Sequence, residues 1–410
     1  MKITFFARLA WRNILRNKRR TAIASVAIGI GLAALIFTDA FIEGMKSNMI
    51  HSATASFLGE AQVHAPGFRE SMDPELTVRD LADVVKRLKD DPFVARFALR
   101  AAGSGMITST VEARPAVVYG VDPGAERHLS QVDDTIREGS FFDGQSPEDL
   151  VLGAKLAKTL EASLGDRIVL TLSKAGSGEI AQELFRISGI YEFGIPDLDE
   201  GMAFVRIDKA REMLGIGDGC HEIALKFHES RNAVRKGLPL WGDLEATGNE
   251  ALSWAELLPQ LKAVFDMTAV FLAVTGLILF AVVTFGIINT LFMSFYERMF
   301  EFGVLRAVGT RPSAVRRLIV FEAGGLALLS LAVGAVLGFA VTLLTARTGI
   351  DYRGIEFAGA TVRDLIYPRL SPDQFIIYPA AVFLFTLLVS LYPALAAGKL
   401  KPAEAMRRSL

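Results

Sequence analysis

Residues 267–296 read MTAVFLAVTGLILFAVVTFGIINTLFMSFY, thirty positions without an Asp, Glu, Lys, Arg or His. A bilayer core of about 30 Å needs roughly 20 apolar residues in helical form. This stretch, about 45 Å of helix, is long enough to cross and to project beyond it. Three more stretches share the property: Thr21–Thr38 (18 residues), Ala323–Ala346 (24) and Gln374–Gly398 (25). Core helices of soluble proteins rarely run this long without a charge. The expected fold class is therefore an α-helical membrane protein with four transmembrane helices, one before and three after a long intervening segment (1+3).

The 410 residues carry 44 Lys/Arg and 45 Asp/Glu, a net charge of −1 that conceals segregation. Residues 1–20 hold seven Lys/Arg and no acid, 297–322 are +2 and 399–410 are +3, whereas 39–266 are −13. The two termini and 297–322 together hold 16 Lys/Arg in 58 residues, against 24 in 228 for the long segment. Basic residues concentrate on the cytoplasmic side of a membrane protein, so both termini and the short loop are expected in the cytoplasm and the long segment outside. The basic lead is 20 residues long with no clear small-residue cleavage site behind the first span, so this span does not read as a cleaved signal. One cysteine, Cys220, excludes an intrachain disulfide framework. The composition argues against disorder and against a nucleic-acid partner.

The expected organisation is a cytoplasmic amphipathic basic helix (1–20), a first span with a stalk (21–44) and an extracytoplasmic domain (45–262). A second span (263–296), a cytoplasmic segment (297–322), a third span (323–346), an outer loop (347–373), a fourth span (374–398) and a cytoplasmic tail (399–410) follow. In the first helix Arg8, Arg12 and Arg16 share a face opposite Ile3, Phe6, Ala10 and Ile14, with Phe5 and Leu15 breaking the pattern. Such a helix suits the headgroup layer. Ala27 and Gly31, and Gly334 and Gly338, put small residues four apart and permit close helix packing. Two apolar stripes, Phe37–Phe41–Met45–Met49 and Trp254–Leu257–Leu258–Leu261–Phe265, extend the first and second spans as stalks.

The long segment alternates strand and helix patterns and reads as a mixed α+β domain. Strands are expected at Ala61–His64, Ala116–Val121, Arg167–Leu172, Leu184–Tyr191 and His221–Phe227, the third and fourth pairing across the Ser173–Glu183 turn. Helices are expected at Leu152–Leu164 and Asp208–Leu214, and behind a Thr77–Asp80 capping box with Leu81, Val84, Val85 and Leu88 facing inward. The stretch Gly153–Thr159 (GAKLAKT) lacks the second glycine of a phosphate-binding loop. The five histidines have no metal-ligand spacing, and His221 and His228 read as surface or edge residues. No ionisable group other than tyrosine lies inside the four stretches, which argues against proton or ion coupling. No cofactor or metal is expected on this chain, and any work must be powered elsewhere.

The cytoplasmic segment is richer. Glu297-Arg298-Met299-Phe300-Glu301-Phe302-Gly303-Val304-Leu305-Arg306-Ala307-Val308-Gly309 forms a short helix that Gly309 terminates, and Pro312 opens the next. Phe302 and Leu305, with Val304 and Val308, give it exposed apolar surface, and Glu297, Glu301 and Arg306 supply charge, a combination that implies a docked partner. The string E-R-x-x-E-F-G-x-L-R-A-x-G resembles the coupling segment of FtsX-like ABC permeases. The entry L-A-W-R-N-x-x-R-N-K-R-R at Leu9–Arg20, the 1+3 plan with a large first outer loop, and the tail Lys401-Pro402-Ala403-Glu404-Ala405 are similar to that superfamily too. The chain looks most like its lipoprotein-releasing (LolC/LolE) branch, with a MacB-like outer domain.

The resemblance implies a permease in a bacterial inner membrane, with a separate cytoplasmic ABC ATPase dimer that binds ATP and Mg. It also implies a second permease (hetero- or homodimer), a lipidated protein extracted from the outer leaflet, and a periplasmic carrier. Such chains carry a longer, Pro-containing hairpin for the carrier, whereas Ser173–Glu183 is short and has no Pro. Export of peptides, lipids or drugs in the MacB manner, and FtsX-like regulation of an extracytoplasmic hydrolase, are the alternatives. On the coupling reading, Phe302 and Leu305 anchor the ATPase, Glu301 and Arg306 fix its orientation, and Gly303 allows close approach. An acyl-chain cavity is expected where Phe37, Phe41 and Met45 face Phe265, Thr268 and Phe271.

Overall fold

Each charge-free stretch lies inside a longer helix, because flanking polar residues extend the hydrogen-bonded ladder past the apolar part. The computed structural model describes residues 3–142, 146–352, 356–357, 360–361 and 365–399; the tail motif at 401–405 lies outside them. In chain order the helices are α1 (Ile3–Arg16), α2 (Lys18–Ala53), α3 (Phe68–Ser71), α4 (Leu81–Asp90), α5 (Pro123–Glu126), α6 (Ala154–Thr159) and α7 (Pro196–Gly201). They continue with α8 (Ile207–Leu214), α9 (Pro239–Glu245), α10 (Trp254–Leu257), α11 (Pro259–Glu297), α12 (Met299–Ala307), α13 (Pro312–Thr348) and α14 (Gln374–Lys399). Among the described residues, the helices long and apolar enough to cross a membrane are α2, α11, α13 and α14. The chain is a multi-pass membrane protein. At 39 residues α11 is about 58 Å long.

The chain falls into two units, Met1–Asn48 with Asp266–Tyr352 and Asp364–Leu410, and Met49–Phe265 with Arg353–Arg363. In the first, the helices pack through small residues. A side chain at Gly334 would meet the Gly29 carbonyl at 2.8 Å and the Leu32 Cβ at 2.9 Å, and one at Gly338 would meet Ile36 at 3.2 Å. The glycine pair of α13 therefore serves contact with α2 inside the chain, as does Gly31 against Val283 of α11.

The second unit is built on one ten-stranded sheet of β1 (Ala61–His64), β2 (Val94–Thr108), β3 (Ala113–Val121), β4 (Ile136–Gly139), β5 (Asp149–Gly153), β6 (Arg167–Ser173), β7 (Ile180–Tyr191), β8 (Met202–Arg206), β9 (Glu222–Phe227) and β10 (Glu250–Ser253). The order is β10-β1-β9-β2-β3-β8-β5-β7-β4, and β6 bridges β2 and β7. The β3–β8 and β5–β7 pairs are parallel and the rest antiparallel. Beside four long apolar helices, this mixed sheet with short helices gives the expected fold class. The β6–β7 hairpin extends to Ser173↔Ile180, leaving a turn of only Lys174–Glu179.

Three local expectations are corrected. Residues 152–164 are not one helix: β5 runs to Gly153 and α6 ends at Thr159. Leu150, Val151 and Leu152 are buried between β7 and β8, and an apolar run buried on both faces has no strand periodicity to read. No capping box forms at Thr77–Asp80. Asp80 sits in the left-handed region (φ 47°) without a side-chain cap, because Val78 and Arg79 bond instead to the Cys220 carbonyl and the Asn249 side chain, both at 2.8 Å. His221 is buried: it accepts the Ala102 N–H at Nδ1 (3.0 Å), lies 3.0 Å from the Pro74 carbonyl at Nε2, and stacks on Phe68. Burial lowers its pKa accordingly.

Candidate coupling site

α12 is nine residues between two membrane-crossing helices. Arg298 leaves the helical ladder at its start (φ −104°, ψ 13°). Gly309 (φ +95°) ends it, the Gly309 and Thr310 amides bonding back to the Arg306 and Leu305 carbonyls. Pro312 then opens α13. Phe302 does not present docking surface: it is 1% exposed and packs with Phe295, Val315, Ile319, Ala394 and Ala397. Phe295, Met299 and Phe302 recur three or four apart and share the inward face. The outward face carries Phe300, Val304, Leu305 and Val308, the last 83% exposed. Phe300, missed by the sequence reading, was signalled by its spacing of four from Val304 and again to Val308. Gly303 is buried beside Phe302.

The charges of this segment are largely satisfied within the unit. Glu297 pairs with Arg20. Arg298 donates to Glu301 (3.0 Å) and to Glu322 of α13, with its guanidinium over the Phe302 ring. Arg16 donates to Glu301 (2.6 Å), and the Asn13 amide to Glu322. Burial alone would raise the Glu301 carboxyl, but Arg298 and Arg16 hold it below its ordinary 4.5. Arg306 donates to the Thr310 carbonyl of its own turn (3.2 Å). Glu301 thus helps shape the segment itself, while the buried Nε of Arg306 has no hydrogen-bond partner among the described residues. Glu322 closes the 297–322 segment, 24 positions beyond Arg298, and Asn13 belongs to the basic entry motif, but their pairing with one another spans 309 positions and has no local signal. The cleft among these side chains, about 80 Å³, has room for a handful of waters.

α1 completes the arrangement. Phe6 and Ala10 pack on Leu318, and Phe6 stacks on Phe321. Phe6 and Ala10 of the apolar stripe therefore face α13. Phe5, Trp11 and Leu15 are exposed on the side that carries Arg8 and Arg12, a second apolar stripe interleaved with cations. A groove of about 560 Å³ beside it is lined by Phe5, Leu9, Leu305, Arg311 and Leu318 among others.

Residues 21–237 match the MacB-like periplasmic core domain, and residues 273–402 match the FtsX-like permease C-terminal region. The chain is an FtsX-like permease. It is 22% identical to the lipoprotein-releasing system transmembrane protein LolC of Xylella fastidiosa (strain 9a5c), over 96% of each chain. It is 22% identical to the lipoprotein-releasing system transmembrane protein LolE of Haemophilus influenzae, over 99% of each chain. It is 26% identical to the macrolide export ATP-binding/permease protein MacB of Rhodospirillum rubrum, over 97% of this chain and 59% of that protein. Neither matched region is an ATPase domain, and an ABC permease works with an ATPase partner.

In this permease the residues expected to line an acyl-chain cavity have varied settings. Phe37 and Phe41 stack at 6.4 Å, and Phe41 meets Tyr352 at 5.6 Å. Met45 is half-buried on α2 and Thr268 half-buried on α11. Phe271 is 74% exposed. Phe265 belongs to the second unit, where it packs edge-on against Trp254 at 5.9 Å. Among the described residues no group of three His, Cys, Asp or Glu side chains is placed to hold a metal. Gly153 serves close packing rather than a phosphate: a side chain there would meet the Asp199 carbonyl at 2.2 Å.

Proposed function

We propose that this permease couples ATP hydrolysis in a separate cytoplasmic ATPase dimer to extraction of a lipidated protein from the outer leaflet of a bacterial inner membrane. The ATPase binds ATP and Mg, and a second permease, identical or related, completes the membrane part. Both termini and α12 are cytoplasmic and the sheet domain is periplasmic, in keeping with the segregation of basic residues. Labelling of a cysteine at Ser313 from outside intact cells refutes that orientation. The observation that carries the coupling is the outward face of Phe300, Val304, Leu305 and the following Val308, on a short helix joined to α11 through Arg298 and to α13 by the four residues 308–311. Such a helix suits a partner's apolar cleft.

The lipoprotein half is supported by the two lipoprotein-releasing relatives, which align over nearly their full length. The β6–β7 turn is short and without Pro, so we assign no carrier to it. Export in the manner of the MacB relative is the second reading, and the short turn favours it. Truncating an aromatic anchor at an interface often costs about 2 kcal/mol, roughly thirtyfold in affinity. Phe300→Ala should therefore weaken ATPase co-purification about thirtyfold with an unchanged melting temperature. Normal complex formation in Phe300→Ala and in Val308→Asp removes α12 as the coupling element. Photo-crosslinking from position 41 should capture a lipidated protein; capture of a partner permease alone counts against the substrate.

A further inference from the structure

We propose that Arg100 and Phe57 form a clamp that makes the end of α2 the rigid drive into the outer domain, with Arg100 as a positioning residue. The proposal deepens the coupling reading above and rests on it. α2 does not simply stop. Its last turn passes into a π-helix, Thr54–Leu58, whose misaligned carbonyls are open to outside donors. The Ala55 and Ser56 carbonyls accept the Gln131 N–H at 2.8 and 3.3 Å, and the Phe57 carbonyl accepts Arg100 Nη2 at 2.6 Å. The Phe57 ring is seated between Tyr119 (4.7 Å) and Phe204 (4.9 Å), with the Arg100 guanidinium 3.6 Å from its centre.

Arg100 is fully buried in the middle of β2, opposite Val121 of β3 and Glu222 of β9. All three of its nitrogens are engaged: Nη1 to Glu222 (2.5 Å), Nε to Glu126 (3.1 Å), Nη2 to Glu126 (2.6 Å) and to Phe57. Stability does not require such a triad, because apolar side chains of similar volume hold a core at least as well. What the charges add is direction. A displaced π-turn breaks a hydrogen bond of a buried cation that has no water to replace it. Motion of α2 is therefore handed to β2, which lies between β9 and β3 in the sheet.

The other entry into this domain is built differently. Leu258 leaves helical geometry (φ −123°, ψ 68°) and Pro259 has no N–H to donate. Trp254, Leu257 and Phe265 hold the place by apolar contact, and its polar ties, the Trp254 N–H to the Glu60 carbonyl (3.0 Å), exposed Arg69 to the Leu257 carbonyl (3.2 Å) and half-exposed Lys236 to Glu256 (2.8 Å), include no fully buried cation. On this reading α2 drives and α11 follows.

The test uses the full chain with its ATPase in nanodiscs, spin-labelled at cysteines placed at Ser177 and Ser313. The native Cys220 is buried and stays unlabelled. Wild type should change its label distance between the nucleotide-free and ATP–vanadate states. The triple variant Arg100→Met, Glu126→Leu, Glu222→Leu should melt at the wild-type temperature and hydrolyse ATP normally, yet lose most of that change. Phe57→Leu, which keeps the backbone carbonyl, should lose part of it and stands in should the triple variant misfold. Hydrogen exchange of the unmodified chain should protect residues 54–60 about a hundredfold longer than 257–262. A full distance change in either variant, or equal protection of the two segments, overturns the clamp alone. A wild type without any nucleotide-dependent change overturns the coupling reading and the clamp with it.

Discussion

Arg100 and Arg298 meet the same kinds of partner in two settings. Each sits between two carboxylates and over a phenylalanine ring, Phe57 at 3.6 Å and Phe302 at 5.1 Å. Around Arg100 water is excluded: the side chains of Arg100 and Glu126 are 0% exposed and that of Glu222 is 6%. Around Arg298 it is not: Glu322 is 13% exposed, but Glu301 is 41% and its second partner Arg16 is 56%. An ion pair in a low-dielectric core holds its geometry, whereas one beside water exchanges partners at little cost. The same residue types thus make a fixed joint in one unit and an adjustable one in the other.

The largest effect should come from breaking the fixed joint. Arg100→Met alone leaves two uncompensated carboxylates in the core and should cost about 3–5 kcal/mol, read as a lowered unfolding midpoint of the full chain. Replacing Glu126 and Glu222 by leucine in the same chain should restore most of it. Phe302→Ala should come next, about 3 kcal/mol, as a cavity under Arg298 in a packed cluster. A wild-type melting temperature for Phe302→Ala means that the ring is not part of a core. Arg16→Ala removes one half-exposed partner of Glu301 and should shift stability by about 1 kcal/mol or less, fading at high salt.

The smallest effect separates the joints by pH. Glu301 is held below its ordinary 4.5 despite burial, so its stabilisation is full above that value and is lost as pH falls through the folded value. Glu222 is raised, by burial first and against the pull of Arg100, so acidification relieves its cost. Going from pH 7 toward 4, the stability difference between wild type and Glu301→Gln should shrink, while wild type should gain stability relative to Glu222→Gln as the cost of burying an ionised Glu222 is relieved. The same sign of pH dependence for Glu301→Gln and Glu222→Gln erases the contrast.

The residues themselves made much of this legible. Four charge-free stretches sufficed for the spanning helices, because in a bilayer length and polarity decide the matter. Alternation found β1, β3, β6, β7 and β9, and Gly309 with Pro312 placed the turn between α12 and α13. It failed at β5, where burial on both faces erases alternation, and at His221, whose partners Ala102 and Pro74 lie more than a hundred residues away.

Hydropathy and local motifs were enough for the spans, the mixed α/β domain and the short helix between two spans, since these are properties of the chain in order. Which face of α12 is exposed follows instead from packing. Phe302 and Phe300 are two residues apart and equally apolar, and the packing of Phe295, Val315 and Ala397 is what turns one inward and leaves the other out. The two arginine joints belong to the same class. Asn13 reaches Glu322 across 309 positions and Arg100 reaches Glu222 across 122. A pairing at that separation is set by three-dimensional packing and the exclusion of water, which no local pattern encodes.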